Sequence, residues 1–381
     1  MSDDLLLHSH LIGRQGGRAD LNTPVLVLDL AALDRNIAAM AAFVAARGVA
    51  LRPHAKTHKS VDIAKRQVAA GAVGLCCAKI GEAEVLVDGG IAGVLITSPV
   101  AAPRAIERLA ALAGRADRLM AVIDHPDVAA RIDAALAAVG ARLDIVVDID
   151  PGIARTGVAS ADAAVDLARV VTGLPNLRYC GVQFYCGTQQ HIEDYAERRS
   201  AIAERTVYLS GVIAALSGAG HPPAIVTGSG TGTHRIDLDL GVFTELQAGS
   251  YIFMDQQYLA CDLTGDGTRP FETALGVDAR VVSANHSALV TIDAGFKSLS
   301  TDGGVALVRS GAPEQAHFAF MGDEHAALVS PGIGDALGPG DPVTLTVPHC
   351  DPTVNLYDHY HVVADDMLVA IWPVGARGRA R

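Results

Sequence analysis

The sequence contains no apolar run of the ~18–20 residues that a membrane-crossing helix needs, which excludes a helical membrane protein. It has no cysteine pair at metal-binding spacing: its six cysteines sit at irregular places, Cys76 and Cys77 side by side. That argues against both a disulfide framework and a zinc ribbon. Basic residues are dispersed and the net charge is −12, so nucleic acid and anionic membrane surfaces are not expected partners. Met1 to Asp20 is polar and lacks the charged start and apolar middle of a signal peptide. A reduced, cytoplasmic setting is the expectation.

What is present is a 381-residue chain, half of it apolar, enough for a large core and for two domains. Short β-branched runs alternate with Ala-rich stretches of helical period. The expected strands are Val49–Lys56, Gly74–Lys79, Gly93–Ser98, Leu119–Asp124, Leu143–Asp150, Cys180–Cys186, Ala224–Gly230 and Glu245–Ser250. Helical segments such as Ser60–Ala70, Pro103–Leu112, Val128–Val139 and Asp194–Gly218 lie between them. Eight strand–helix units in an α/β pattern predict a closed (β/α)₈ barrel of the TIM type, in preference to an open doubly wound sheet. After Tyr251 the helical period fades, and Gly, Pro and Asp punctuate short runs such as Leu275–Val282, Ala288–Asp293 and Pro342–Val347. A mostly antiparallel β domain is expected there. The expected division is 24–255 for the barrel and 256–381 for the β domain, with Pro24–Leu30 free to pair with either.

Six segments carry chemistry. In Leu51-Arg-Pro-His-Ala-Lys-Thr-His-Lys59, strand alternation puts Arg52, His54 and Lys56 on one face. Burying such a cationic stripe without a partner costs many kcal/mol, so it calls for an anionic or conjugated group such as a phosphorylated cofactor. Partial desolvation and cationic neighbours are expected to lower the Lys56 pKa and suit it to covalent chemistry. Gly228-Ser-Gly-Thr-Gly-Thr233 follows the seventh strand and Gln247-Ala-Gly-Ser250 the eighth, the loops where barrels often bind phosphate. His349 and Asp351, two apart in Val347-Pro-His-Cys-Asp-Pro-Thr353, share a face if the segment is extended; a divalent-ion site and a structural turn both fit. Tyr185 and His191 follow the sixth strand, as hydrogen-bond partner and base, and Arg155 in the loop after the fifth can pair with a cofactor oxygen.

Together these segments resemble the fold-type III pyridoxal-phosphate (PLP) enzymes, the alanine-racemase-like group. They are most similar to its metal-dependent D-threonine aldolase, 3-hydroxy-D-aspartate aldolase and D-serine dehydratase members. Arg-Pro-His-Ala-Lys-Thr-His-Lys (52–59), Gly-Val-Gln-Phe-Tyr (181–185) with Gln190 and His191, Gly-Thr-Gly (230–232) and Thr-Glu-Leu-Gln-Ala-Gly-Ser-Tyr (244–251) carry the likeness. Asp323-Glu-His325 and Pro-His-Cys-Asp-Pro-Thr (348–353) complete it. The resemblance implies that Lys56, not Lys59, bears PLP. It puts His54, Arg155, Tyr185, Ser229, Gly230, Thr231, Gly232, Gly249, Ser250 and Tyr251 around the cofactor, and makes His191 the catalytic base. His349 and Asp351 become ligands of a divalent metal, Mn²⁺ first, with Mg²⁺, Co²⁺, Ni²⁺ or Zn²⁺ as alternatives. It further implies a homodimer acting on a small D-amino acid by aldol cleavage; dehydration is the runner-up and racemisation, which would not need the metal pair, comes third. Cys186 and Ser229 depart from the family pattern and bear on substrate preference.

Overall fold

The computed structural model describes residues 3–381. In chain order the elements are α1 (Asp3–His8), β1 (Val25–Asp29), α2 (Leu30–Ala45), β2 (Ala50–Leu51), α3 (Val61–Ala69), β3 (Cys76–Cys77), α4 (Ile80–Asp88), β4 (Val94–Ile96), α5 (Pro103–Ala113) and β5 (Leu119–Ile123). They continue with α6 (Pro126–Val139), β6 (Leu143–Asp148), α7 (Ala161–Gly173), β7 (Leu177–Phe184), α8 (Tyr195–Gly218), β8 (Ile225–Gly228), α9 (His234–Leu240), β9 (Glu245–Leu246) and α10 (Gln256–Ala260). The remainder is β10 (Leu275–His286), β11 (Leu289–Ile292), β12 (Leu307–Ser310), β13 (His317–Phe320), β14 (Ala326–Val329), α11 (Ile333–Ala336), β15 (Pro342–Thr346), α12 (Cys350–Val354), β16 (His359–Ala364) and β17 (Met367–Pro373).

Strands β2 to β9 form one curled parallel sheet in the order β2-β9-β8-β7-β6-β5-β4-β3. Its two ends meet: Val73 N–H donates to Leu51 O, Cys76 N–H to Pro53 O, and His54 bridges Cys76. The result is the expected eight-stranded barrel wrapped in helices. The helices start where local chemistry dictates. Asp29 accepts the Ala32 N–H at 2.9 Å, Pro126 opens α6 with its fixed φ, and Asp194 caps α8 through the Glu197 N–H. Gly140, at φ 67°, ends α6 in the left-handed region that glycine enters freely.

The second sheet runs β13-β14-β11-β10-β1-β16-β17, with β15 on β10 and β12 on β15. The run Pro24–Leu30 supplies β1 to this sheet, antiparallel to β10 and parallel to β16. Two strands here, β12 and β13, are absent from the sequence reading. Both are largely exposed and lack a clean apolar alternation. The barrel strands at the site are shorter than expected. Pro53 has no N–H for the ladder, so β2 stops at Leu51 and Lys56 falls in a 3₁₀ turn, Ala55–Thr57.

Candidate active site

Inward-facing side chains fill the barrel floor with one hydrogen-bonded network. Arg52, 1% exposed, is bidentate to Glu245 at 2.9 and 2.8 Å. Glu245 accepts Thr227 Oγ1 at 3.0 Å, and Gln247 Nε2 donates to Thr227 and to Gln183 Oε1. Gln183 Nε2 reaches Asp148 Oδ1 at 2.8 Å. Burial pushes the Asp148 carboxyl up to about 6, against the lowering hydrogen bonds from Gln183 and Thr156. This overturns part of the stripe argument: Arg52 has a carboxylate partner inside the barrel and needs no cofactor anion. His54 does not need one either. Its Nδ1 accepts the Lys56 N–H, its Nε2 meets Thr97 Oγ1 at 3.0 Å, and burial followed by the Lys56 charge keeps it neutral.

Above this floor the mouth opens. Lys56 Nζ forms an ion pair with Asp351 Oδ2, and 39% of its side chain is exposed. Burial alone would lower the Lys56 pKa, but the Asp351 and Tyr185 charges more than reverse it and hold the amine above the ordinary lysine value. The expected lowering is therefore corrected: the Asp351 carboxylate facing Lys56 outweighs the cost of burial. Lys59 is committed elsewhere, to Glu82, whose second oxygen accepts the Ala78 and Lys79 N–H groups.

Asp351 is held well below the carboxylate range, burial opposing and the Lys56 and His349 charges prevailing. Its Oδ1 is buried without a hydrogen bond of proper geometry. The 349–351 segment is not extended as expected: His349 caps α12 and Asp351 lies in its first turn. The segment is fixed by Asp255, which accepts Cys350 N–H at 2.9 Å and Tyr258 N–H at 3.1 Å, and by Ser300, whose hydroxyl bonds both the N–H and the carbonyl of His349. His349 Nδ1 meets Asp302 Oδ2 at 2.8 Å, which leaves Nε2 as the free ligand atom. Asp255, Ser300 and Asp302 escape sequence reasoning, because only the fold brings them to this segment.

Tyr185 is half-buried beside Lys56, its phenol pushed up first by burial. Arg155 stacks over its ring at 5.8 Å. His191 packs on Tyr258, ring centroids 4.7 Å apart. Partial burial, then the His349 and Lys56 charges, lower its pKa. Gln190 pins the glycine turn: its Oε1 accepts the Gly232 N–H at 3.0 Å and its Nε2 donates to Thr233 Oγ1 and Cys186 O. A Cβ at Gly232 would sit 1.9 Å from the Gln190 carbonyl, so this turn requires glycine. Ser229 adopts φ 68°, a region where glycine is at ease, with its hydroxyl by Asp237. Thr231 Oγ1 is buried without a partner, as a phosphate-accepting hydroxyl would be in the protein alone. Gly249 passes close to His54 O, where a Cβ would come within 3.1 Å. Ser250 follows at the same barrel end. Tyr251 does not project into the mouth: its hydroxyl accepts Gln67 Nε2 at 3.1 Å and its ring packs on Phe271, so only its main chain is near the turn. Cys186 is buried, which pushes its thiol up to about 12 and keeps it protonated.

The mouth thus joins a lysine, a base and a histidine–carboxylate pair across the two sheets, with orphaned oxygens at Thr231 and Asp351 where a phosphate and a cation fit. A grouping of three His or carboxylate ligands among the described residues occurs elsewhere, at Asp4, His8 and His361. No helix among the described residues is long and apolar enough to cross a membrane. Residues 28–257 match the family described as alanine racemase, N-terminal domain, and residues 274–363 match the putative serine dehydratase domain. The chain is 36% identical over 366 residues to a 3-hydroxy-D-aspartate aldolase of Paracoccus denitrificans, covering 95% of this chain and 93% of that one. It is 37% identical over 364 residues to a D-threonine aldolase of an Arthrobacter species, covering 95% and 94%. The crystal structure of D-threonine aldolase from Filomicrobium marinum superposes with a TM-score of 0.91 at 39% identity, over 94% of this chain and 97% of that chain.

Proposed function

Because the chain belongs to the alanine racemase N-terminal domain family, we propose that it is a PLP- and divalent-metal-dependent aldolase. Its substrates are D-β-hydroxy-α-amino acids, D-threonine first and 3-hydroxy-D-aspartate next, cleaved between Cα and Cβ to glycine and an aldehyde. The observation that carries the reading is the Lys56–Asp351 pair. It places the amine that would bear the cofactor against the segment that would bear the metal. Likeness along nearly the whole chain to proteins named as aldolases supports it.

When bound, PLP supplies an electron sink for the charge left at Cα, and the metal supplies a positive charge that lowers the β-hydroxyl pKa. Lys56 would hold the cofactor, the Gly230–Gly232 turn with Thr231, Gly249 and Ser250 would take its phosphate, and Tyr185 and Arg155 would lie near it. His349 Nε2 and Asp351 hold the metal, with Asp302 orienting the imidazole. His191, whose depressed pKa keeps it neutral near pH 7, accepts the β-hydroxyl proton. The raised pKa of Lys56 belongs to its ion pair with Asp351, and a cation held by Asp351 would weaken that pair. Manganese as the ion, a homodimeric assembly and a cytoplasmic location complete the reading.

The test is to incubate the purified protein with PLP, Mn²⁺ and D-threonine, D-3-hydroxyaspartate or D-serine and identify the products. Glycine plus aldehyde is expected, and EDTA is expected to abolish turnover. A keto acid with ammonia would replace the aldolase reading with a dehydratase, and EDTA-resistant turnover would remove the metal.

A further inference from the structure

The outer face of the second sheet carries a second ligand cluster, separate from the mouth. Along β16 side chains alternate: Tyr360 and Val362 join the main core, whereas His359 and His361 turn to the other face. There α1 lies across the strand, with Asp4 and His8 one helical turn apart and so on one side of the helix. His8 Nδ1 comes within 2.8 Å of His361 Nε2, both residues 1% exposed. Asp4 Oδ2 bonds His359 Nδ1 at 2.9 Å. One ligand atom each from Asp4, His8 and His361 falls within 4.8 Å of the others. Leu11, Leu21, Val25, Val27, Val363 and Leu368 close the cluster in an apolar setting. His361 Nδ1 is buried with the Leu26 carbonyl as its neighbour, which leaves Nε2 turned toward His8 and Asp4.

We propose that Asp4, His8 and His361 form a structural site for one zinc-class divalent cation that fastens the N-terminal segment to the second sheet. Two imidazoles and one carboxylate on a helix and a strand are the donors that suit Zn²⁺, Co²⁺ or Ni²⁺ over Mg²⁺ or Ca²⁺. His359 holds the Asp4 carboxylate from outside, the usual second support of a ligating oxygen. Water completes the coordination. The Asn22 N–H and carboxamide lie 3.0 and 3.3 Å from His8 Nε2. Ligation through Nδ1 moves the ring proton to Nε2, where a flipped Asn22 carboxamide receives it on Oδ1. The Asn22 N–H bond to His8 is given up in exchange. The metal-free alternative is a neutral hydrogen-bonded chain from Asn22 through His8 to His361.

Zinc titration of the full-length, PLP-loaded protein carrying His349→Ala and Asp351→Ala isolates this site from the mouth, so the result does not depend on the proposed activity. One equivalent of Zn²⁺ is expected by calorimetry and by metal analysis after gel filtration, with a rise in Tm. Adding His8→Ala or His361→Ala is expected to remove that equivalent. Asp4→Asn, a half-buried helix position that leaves the core intact, is expected to weaken binding at least about tenfold. No retained zinc in the parent protein, or retention that survives Asp4→Asn and His8→Ala alike, would overturn the proposal and leave the neutral chain.

Discussion

Arg52 and Lys56 stand four residues apart on one side of the same barrel segment, both cationic and both paired with a carboxylate, yet their surroundings are opposite. Arg52 is sealed into the floor: its fork meets both oxygens of Glu245, and Oε1 also accepts the Thr227 hydroxyl. Lys56 stands at the open end, on the Asp351 carboxylate of α12, whose other oxygen lacks a well-formed hydrogen bond. A closed pair of this kind specifies a barrel interior, and breaking it leaves a charge stranded. An open pair joins two domains through a contact that a cofactor and a metal can replace. Saturation of hydrogen bonds, rather than charge, separates the residue that holds the barrel together from the one expected to react.

That contrast is sharpest under substitution. Lys56→Ala is expected to cut D-threonine cleavage by about 10⁴-fold or more and to abolish the protein-bound cofactor absorbance, with Tm nearly unchanged. Full cofactor absorbance in this variant would place the anchor elsewhere. Arg52→Ala is expected to do the reverse, lowering stability by about 3–5 kcal/mol in urea unfolding because Glu245 is left buried and unpaired. The double change Arg52→Met with Glu245→Leu should recover much of that loss; if it does not, the pair is more than a neutralised core.

Acid separates the two regions further. Burial holds His58 down to about 3 and His234 to about 4, so both are neutral in the folded barrel. Between pH 6.5 and about 4 the unfolded chain binds protons that the folded chain does not. Stability that is full above pH 6.5 is therefore lost as pH falls, by about 3 kcal/mol at pH 5.5 for the two together. Urea midpoints from pH 7.5 to 5.5 read this out, and His234→Gln should flatten the slope by about half. The smallest effect expected is that of Gly232→Ala, about 1–3 kcal/mol through the clash with the Gln190 carbonyl. It should appear as a lower Tm together with weaker PLP retention on dialysis.

Much of this architecture is legible in the chain itself. Eight apolar runs separated by helical stretches are a periodic signal, and each barrel strand has one. Lys56, His191, His349 and Asp351 stand out because residue type and loop position coincide. The strand ends were not legible, since Pro53 halts a ladder in a run that otherwise reads as continuous. β12 and β13 were not legible either, because each is only four residues long and buries little: Phe318 is the one fully buried side chain of the two. Partners fixed by tertiary structure leave no local trace. Glu245 lies 193 positions from Arg52, and Asp302 lies 47 from His349. The bend that makes 349–351 helical depends on Asp255, a capping carboxylate far away in sequence.

The placement of β1 also bears on how the protein is made. Val25–Asp29 is flanked in its sheet by Leu275–His286 on one side and His359–Ala364 on the other. All the strands of the barrel leave the ribosome before the second of these neighbours exists. A nascent chain can close its barrel and pair its first strand with Leu275–His286 while the other edge of that strand stays exposed until His359–Ala364 has been made. Arrival of His359–Ala364, rather than barrel closure, is then the event that completes the second sheet around its first strand.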